Sequence, residues 1–124
     1  MLNFNQLIRS FRFAIKGVVY VFKTEQNFRI QLIIAALVAG FSWLFQITVA
    51  QAIILILLIT LVLVLELINT IFEKIVDLLK PRLHLYVEVI KDMMSAAVLL
   101  SSLGASIIGL MIFIPYFIAL FTNL

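Results

Sequence analysis

The sequence contains no cysteine, only one histidine and few charged residues, which make up 12% of its 124 residues. Without cysteine, the chain can form neither a disulfide nor a thiolate metal site. A single histidine disfavours a histidine-based zinc site. The small charged fraction excludes a soluble domain of this size, because such a domain needs a polar exterior. We therefore expect an integral membrane protein.

Two missing motifs narrow the kinds of nucleotide site that the chain could carry. The sequence contains neither the GxxxxGK[ST] pattern of a P-loop nor the GxGxxG pattern of protein kinases. Any nucleotide site must therefore have another fold. The N-terminal residues also lack a compact apolar core followed by a cleavage site, so we expect no cleavable signal peptide.

Long apolar runs are what the sequence has in quantity, since 65% of its residues are hydrophobic and its mean hydropathy is +1.27. A membrane-spanning helix needs about 20 such residues. Three runs reach this length and predict spans over about 28–46, about 50–67 and about 89–114. The second continues as helix to about 79. Proline cannot continue a helix, so Pro81 predicts a break over 80–84, and Pro115 predicts a kink or an end.

The N-terminal residues have a different pattern, in which basic and apolar residues alternate over about 3–24. This pattern predicts an amphipathic helix at the membrane surface, capped by Asn3 or Asn5. Thr24 is a candidate N-cap for the first span. The expected fold is therefore an all-α membrane protein with three transmembrane helices and a surface helix, forming a single domain over 1–124.

Charged residues are confined to one end of the predicted spans. All nine Lys and Arg lie within residues 9–29 and 74–91, and all six acids lie within residues 25–92. The positive-inside rule predicts a cytoplasmic N-terminus, a cytoplasmic 80–84 loop and an outside C-terminus in the plasma (inner) membrane. An ion pathway would distribute polar groups through the membrane, whereas surface chemistry would gather them at one level. The sequence has the second pattern.

Four polar residues of the second span fall on a single helix face. With 3.6 residues per turn and Glu66 taken as zero, Asn69 falls at about 300°, Glu73 at about 340° and Asp77 at about 20°. We call these four residues the acidic stripe. Carboxylates near hydrocarbon are costly and usually functional, so the stripe predicts a site that holds a cation. The alternative is that these residues only join helices through hydrogen bonds.

The depths of the acidic residues indicate separate roles. Glu66 is deepest and has apolar neighbours, which suits a general base. Glu73, two turns nearer water, and Glu25, at the start of the first span, could hold Mg²⁺, which prefers one or two carboxylates with phosphate oxygens and water. Asn69 could orient a ligand or a carboxylate. Asp77 has no predicted role beyond capping or pairing with a basic residue.

Residues at the same level could bind phosphate groups, because phosphoryl transfer depends on positioning and charge neutralisation. The candidates are Lys91 and Asp92 on the last helix, with Arg9 and Arg12 on the surface helix. Alternatively, each basic residue only anchors the chain at the cytoplasmic surface. His84 could contact a nucleotide base, or it could simply be a solvent-facing loop residue.

The acidic stripe belongs to a longer match to a known family. It resembles the signature E-[IL]-[IL]-N-[ST]-x-[IL]-E-x-x-[VI]-D of the small prokaryotic diacylglycerol kinases and undecaprenol kinases, and reads here Glu66-Leu-Ile-Asn69-Thr70-Ile-Phe-Glu73-Lys-Ile-Val-Asp77. Further matches, in the family's order and spacing, are Lys16-Gly17, Glu25-x-x-Phe28-Arg29, His84 and Lys91-Asp92-Met-x-Ser95-Ala96-Ala97-Val98-Leu99. The resemblance covers nearly the whole chain.

This resemblance implies a homotrimer with active sites at subunit interfaces, where magnesium-ATP phosphorylates a lipid alcohol, diacylglycerol or undecaprenol. The partners that it implies include the membrane bilayer and exclude nucleic acid. By position, Glu66 would be the catalytic base, and Glu25 and Glu73 would bind the metal. The implied nucleotide-binding residues are Arg9, Phe13, Glu25, Asn69, Glu73, His84, Lys91 and Asp92. The implied lipid-substrate residues are Glu66 and Ser95.

The chain departs from the family pattern at four positions. Phe13 stands where Tyr is frequent, Gln31 where Glu or His is frequent, and Ile90 and Phe72 where smaller residues occur. None of these departures removes a catalytic group. A membrane lipid kinase is the leading hypothesis. The alternatives are a non-catalytic oligomeric membrane protein with a cation-binding acidic stripe, and a membrane phosphatase using the same metal site.

Overall fold

The chain folds into four α-helices joined by short connections, in a computed structural model that describes residues 1–80, 82 and 84–124. The helices are α1 (Phe4–Thr24), α2 (Gln26–Phe45), α3 (Val49–Asp77) and α4 (His84–Thr122). Helices α2, α3 and α4 are each long and apolar enough to cross a membrane. The prediction of an all-helical protein with three such helices is therefore confirmed.

A sharp corner separates α1 from α2. Helix α1 begins where the Asn3 side chain accepts a hydrogen bond from the backbone N–H of Gln6, at 3.2 Å. It ends at Thr24, and Glu25 then takes an extended conformation at the N-cap position of α2. The prediction that Thr24 caps α2 is wrong, because the Thr24 hydroxyl instead donates to the carbonyl of Tyr20, at 2.9 Å.

The connection between α2 and α3 is a tight turn over 46–48 that contains no charge. Gln46 ends α2 in the left-handed conformation, with φ 48°, and the N–H of Ile47 donates to the carbonyl of Ser42. Thr48 and Gln51 then form a capping box at the start of α3, each side chain accepting from the other residue's backbone N–H at 3.2 Å. The turn therefore satisfies these backbone groups itself.

Aromatic rings join α2, α3 and α4 at the end of the bundle that includes this turn. The rings in contact are Phe41, Phe45, Phe113, Tyr116 and Phe117. Phe113 forms a buried cluster with Leu55 of α3 and Ile112, and Phe45, Tyr116 and Phe117 pack against this cluster. The Tyr116 hydroxyl donates to Oε1 of Gln51 on α3, at 2.7 Å. The main apolar core therefore lies at the uncharged end of the helices.

Helix α4 continues past Pro115 to Thr122. Of the two outcomes expected for Pro115, an end of the helix is therefore not found, and residues 116–122 are helical. Proline removes one backbone hydrogen bond but does not force a long helix to end. The packing of Phe113, Tyr116 and Phe117 against α2 holds the helix on both sides of Pro115.

Helix α3 ends at Asp77, and α4 begins at His84. The helical interruption predicted around 80–84 therefore lies between the end of α3 and the start of α4. Pro81, the predicted cause of the break, lies outside the described residues, as does Leu83. Lys80 in the connection forms an ion pair with Glu88 of α4, at 3.5 Å. This connection and the corner at Glu25 lie at the charged end of the helices.

Candidate active site

Glu66 is the most deeply buried polar side chain of the site, with 1% of its surface exposed. It lies on α3 and faces α2, where Nε2 of Gln31 donates to its Oε2 at 3.3 Å. The two residues are 35 positions apart in the sequence. The burial that the sequence predicted for Glu66 is therefore accompanied by an amide partner that the acidic stripe alone does not reveal.

Asn69 and Glu73 lie on the same face of α3, further toward the connection to α4. Asn69 is 7% exposed, and its Nδ2 donates to Oε1 of Glu73 at 3.4 Å. This contact follows from helical geometry, because residues four apart are neighbours on a helix surface. The Asn69 Oδ1 atom is buried and has no hydrogen-bond partner in the structure. The pair therefore leaves one oxygen acceptor unused beside the Glu73 carboxylate.

The corner between α1 and α2 brings Glu25 to the same region. Nη1 of Arg29 donates to the carbonyls of Phe22 and Lys23, at 2.8 and 3.0 Å, and so holds the last turn of α1 against the first turn of α2. Both Glu25 and Glu73 lie close enough to Glu66 for their negative charges to repel it. Three carboxylates from two parts of the chain are therefore grouped at one end of the bundle.

Basic side chains adjoin this group of acids. Lys91 of α4 forms an ion pair with Asp77 at 2.6 Å, and it is also attracted by the charge of Glu73. Lys74 lies 5.8 Å from the centre of the Tyr20 ring and is attracted by Glu25. Asp77 thus pairs with a basic residue, one of the two uses expected for it. The site combines negative charge near Glu66 with positive charge toward α4.

The length of α3 indicates how these residues are distributed by depth. At 1.5 Å per residue, Glu66 lies about 26 Å along the helix from Val49, and Glu73 lies about 36 Å along it. The hydrocarbon core of a bilayer is about 30 Å thick. If the turn over 46–48 lies at one edge, Glu66 is just inside the opposite edge, and Glu73 and Asp77 are beyond it.

Other residues implied by the resemblance do not join this group within one chain. Arg9, Phe13, His84, Asp92 and Ser95 are all exposed. No hydrogen bond or ion pair links them to Glu25, Glu66 or Glu73 within the part of the chain that the structure describes. Arg9 lies sixteen residues before Glu25, which is about 24 Å along a helix.

Two residues of the site were not given a role from the sequence. From the sequence, Gln31 is only a departure from the family pattern, and Arg29 is only part of a matching motif. The signal for Gln31 is that it is the only side chain between Ile30 and Phe41 that can form a hydrogen bond. A polar residue in such a run needs a partner within the bundle.

The fit of the site to magnesium can be judged from its oxygen atoms. The structure, over the residues it describes, contains no group of three or more His, Asp or Glu side chains arranged to hold a metal ion. Magnesium needs only one or two carboxylates when phosphate oxygens and water supply the other ligands. The mutually repelling carboxylates and the unpartnered Asn69 Oδ1 fit a cation of this kind.

An apolar groove of about 450 Å³ runs from this site along the bundle between α2, α3 and α4. Gln31, the hydrogen-bond partner of Glu66, lines its charged end, and Phe113 and Phe117 line the uncharged end. Most of the remaining lining is Ile, Leu, Val and Ala. The groove is therefore suited to a hydrocarbon chain whose polar end lies beside Glu66.

Comparison with known proteins gives one consistent family. Residues 12–113 match the family described as prokaryotic diacylglycerol kinase. The chain is 36% identical over 115 residues to a diacylglycerol kinase of Synechocystis sp., covering 92% of this chain and 66% of that protein. It is 33% identical over 111 residues to an undecaprenol kinase of Bacillus subtilis, covering 90% of each chain. The chain belongs to the prokaryotic diacylglycerol kinase family.

Proposed function

We propose that this protein is a membrane lipid kinase that transfers the γ-phosphate of ATP to the hydroxyl of a lipid alcohol, diacylglycerol or undecaprenol. The observation that carries the proposal is the burial of Glu66 close to Glu25 and Glu73, at the end of an apolar groove. A lipid in the groove would present its hydroxyl to a carboxylate, beside residues suited to bind a phosphate-bound cation.

In the proposed reaction, Glu66 accepts the proton of the lipid hydroxyl as the hydroxyl oxygen attacks the γ-phosphorus. A new P–O bond forms to the lipid, the bond from the γ-phosphorus to the bridging oxygen breaks, and ADP leaves. The proton on Glu66 then returns to water. Glu66 accepts a side-chain hydrogen bond from Gln31, and few other polar groups surround it. Its carboxylate can therefore accept a hydrogen bond from the substrate hydroxyl.

Glu25, Glu73 and Asn69 would hold magnesium, which neutralises phosphate charge when it is bound. Lys91 pairs with Asp77 and is also attracted by the charge of Glu73, and it would exchange Asp77 for a phosphate oxygen. Ser95 lies one helical turn from Lys91, so it would face the lipid at the same level. Arg9, Phe13, His84 and Asp92 would complete the nucleotide site.

The site would work at the cytoplasmic face of the inner membrane. The concentration of Lys and Arg at the charged end of the helices supports a cytoplasmic N-terminus and α3–α4 connection, with the C-terminus outside. Helix α1 would lie on the membrane surface, because it exposes both its apolar and its basic side chains over 4–20. A homotrimer would bring the exposed residues of neighbouring chains to each site.

A non-catalytic protein that uses its acids only for assembly is the main alternative. Assembly through an acidic cluster has no need of an apolar groove that ends at Gln31, the hydrogen-bond partner of Glu66. Nor does it need Lys91 paired with Asp77 and attracted by Glu73. A phosphatase would need the metal site but no nucleotide site. Nucleotide binding by the purified protein therefore separates both alternatives from the kinase.

The direct test is to incubate the purified protein in lipid bilayers with γ-labelled ATP and either diacylglycerol or undecaprenol. We expect label in a phosphorylated lipid with at least one of the two, and only when Mg²⁺ is present. Comparison of the two rates identifies the preferred lipid. No transfer to either lipid by protein that is folded and in a bilayer would refute the assignment of these substrates.

Replacing Glu66 with Gln tests the catalytic base. We expect Glu66→Gln to reduce phosphoryl transfer by about 100-fold or more, because general base catalysis contributes on that order. Binding of magnesium-ATP, measured by titration calorimetry, should change little, since Glu66 lies below the residues proposed to bind it. Turnover near that of the unmodified protein would refute the role of Glu66.

A further inference from the structure

Gln31 is the side chain that contacts the Glu66 carboxylate from the neighbouring helix. Among the side chains that the structure describes, it is the only hydrogen-bond donor to the Glu66 carboxylate, at 3.3 Å. It approaches from α2, whereas Asn69 and Glu73 lie on α3 with Glu66 itself. The amide therefore links the helix that carries Glu66 to the opposite wall of the groove.

The second polar atom of the Gln31 amide has no partner. Its Oε1 is buried and accepts no hydrogen bond in the structure. Buried polar atoms are nearly always satisfied, so an exception needs an explanation. The surrounding groove is lined mostly by hydrocarbon side chains, and its two hydroxyls, those of Ser102 and Ser106, do not bond to Oε1. Oε1 is therefore free to accept a hydrogen bond from a donor that appears during the reaction, if the amide turns.

An amide is suited to this position because it carries both a donor and an acceptor. A carboxylate such as ionised Glu66 only accepts hydrogen bonds, whereas a protonated carboxyl group also donates one. Rotation of the terminal amide by about 180° exchanges its N–H and its carbonyl oxygen, and this torsion is roughly two-fold. One side chain can therefore satisfy Glu66 before and after it receives a proton.

We propose that Gln31 is a positioning residue for the general base. Its amide N–H holds the ionised Glu66 carboxylate toward the lipid hydroxyl before phosphoryl transfer. After Glu66 has taken the hydroxyl proton, the amide turns and its carbonyl oxygen accepts the new O–H of Glu66. The proton passes from the lipid hydroxyl to Glu66 and later from Glu66 to water. Gln31 itself neither gains nor loses a proton. This inference rests on the proposed function.

The charges around Glu66 explain why a neutral amide is useful there. Glu25 from the α1–α2 corner and Glu73 from α3 both act on Glu66 as negative charges. Two basic groups adjoin these acids, since Lys74 is attracted by Glu25, and Lys91, which pairs with Asp77, is attracted by Glu73. Gln31 compensates the buried carboxylate without adding a charge to this group. It also preserves the apolar lining of the groove beside the reacting hydroxyl.

The test is to replace Gln31 with Met, which has similar length but cannot form these hydrogen bonds. We expect Gln31→Met to lower kcat by between about 10- and 100-fold, the size expected for a lost hydrogen bond to a charged group. The KM for magnesium-ATP should remain within about twofold, and the KM for the lipid should change less than kcat does, because Gln31 also lines the charged end of the groove. Magnesium-ATP binding by calorimetry should likewise be unchanged.

Gln31→His provides the rescue variant, since neutral imidazole also has one donor and one acceptor. We expect its kcat to lie clearly above that of Gln31→Met. Ile33→Met, on the exposed side of α2 and outside the groove, is the packing control and should keep kcat within about twofold of the unmodified protein. Equal melting temperatures for the variants would show that the kcat difference does not come from unfolding.

Three results would overturn the inference. The first is a normal kcat for Gln31→Met while Glu66→Gln is inactive, which would leave the proposed function intact. The second is loss of magnesium-ATP binding or of folding in Gln31→Met, which would make the role one of general structure. The third is a Gln31→His variant no better than Gln31→Met. A fully active Glu66→Gln would instead refute the proposed base itself.

Discussion

The carboxylates of Glu88 and Glu66 differ in what they cost the stability of the fold. Glu88 pairs with Lys80 at an exposed site, where a carboxylate costs little. Glu66 is 1% exposed and has a single amide partner at 3.3 Å. Burying a carboxylate without an opposite charge costs several kcal/mol, and one long hydrogen bond offsets only part of this cost. Its position is therefore explained by chemistry rather than by folding.

Glu73 is expected to act on the nucleotide rather than on the lipid. Replacing it with Gln keeps its size and its contact with Asn69 but removes a charge that would bind magnesium. We expect Glu73→Gln to weaken magnesium-dependent ATP binding by about tenfold or more, as loss of a charged partner typically costs 1.5–3 kcal/mol. Calorimetric titration of ATP at several Mg²⁺ concentrations measures the effect.

Glu88→Gln is the matched control for this prediction, because it removes a carboxylate at the same end of the bundle but away from the acidic stripe. Its ATP affinity should stay within about twofold of that of the unmodified protein. If Glu73→Gln and Glu88→Gln have equal effects, Glu73 contributes only to the overall charge and is not a metal ligand.

How much of the site can be predicted from the sequence depends on how far apart its residues are along the chain. Glu66, Asn69 and Glu73 share one helix, so the period of 3.6 residues per turn is enough to place them on one face. The Asn69–Glu73 contact at 3.4 Å agrees with this placement. The Gln31–Glu66 contact joins two helices across 35 residues, and periodicity within one helix contains no information about it.

The helices themselves depend on caps and corners that act at the level of whole elements. Glu25 is placed by the corner between α1 and α2, and Arg29 holds this corner through two backbone carbonyls at 2.8 and 3.0 Å. Carbonyls at the end of a helix lack intrahelical partners, and a nearby Arg can satisfy them. The Arg29 side chain therefore helps to fix the position of Glu25, whose carbonyl also accepts a hydrogen bond from the Arg29 backbone N–H at 3.4 Å.

Replacing Arg29 with Met should disturb this corner. We expect Arg29→Met to weaken magnesium-ATP binding several-fold, because loss of the two hydrogen bonds leaves Glu25 less fixed, and to speed amide hydrogen exchange over 22–26. Exchange measured by mass spectrometry reports the corner independently of any bound metal. Unchanged exchange over 22–26 would show that Arg29 does not hold the corner.

Lys23→Met is the control for Arg29→Met, since it removes a neighbouring positive charge and none of these hydrogen bonds. It should leave both ATP binding and exchange near those of the unmodified protein. An effect of Lys23→Met as large as that of Arg29→Met would show that charge at the membrane surface matters, rather than the geometry of the corner.

Element boundaries were less predictable from the sequence than the elements themselves. The three apolar runs marked the spanning helices, because hydrophobic length is a local property. The role of Pro115 was not predictable, since whether a helix continues past proline depends on packing against other helices. The Thr48–Gln51 capping box could have been recognised, because Thr followed three residues later by Gln is the known pattern.

At the scale of the whole molecule, a single chain does not assemble every residue that the family resemblance assigns to the site. Arg9 lies about 24 Å along the helix from Glu25. Residues 4–20 of α1 are exposed along their full length. An Arg side chain is too short to cover this distance. A neighbouring copy of the chain would therefore have to supply Arg9 to a given group of Glu25, Glu66 and Glu73.

Mixing two inactive variants tests this arrangement. In a shared-site oligomer, subunits carrying Arg9→Ala and subunits carrying Glu66→Gln should together form some sites in which both residues are intact. We expect activity to reappear when the two are refolded together, at a fraction of the unmodified rate set by random mixing. The measurement is lipid phosphorylation by the mixture and by each variant alone.

Mixing Glu66→Gln with Glu73→Gln is the control, because both residues lie on the same helix and come from the same subunit. In this mixture, each site would receive Glu66 and Glu73 from one subunit, so every site would carry one of the two substitutions. We therefore expect no recovery of lipid phosphorylation. Full activity of a monomeric form in detergent, or no recovery in the first mixture despite mixed assembly, would contradict the shared site.

The uncharged turn over 46–48 also has a consequence for how the protein is made. No charged residue occurs between Arg29 and Glu66, and the turn satisfies its own backbone groups through Thr48, Gln51 and the end of α2. An elementary charge moved through a membrane potential gains or loses about 2.3 kcal/mol per 100 mV. With the turn over 46–48 at the outer surface, helices α2 and α3 would enter the bilayer as one hairpin whose translocated part carries no charge, and we expect the membrane potential to contribute little to its insertion.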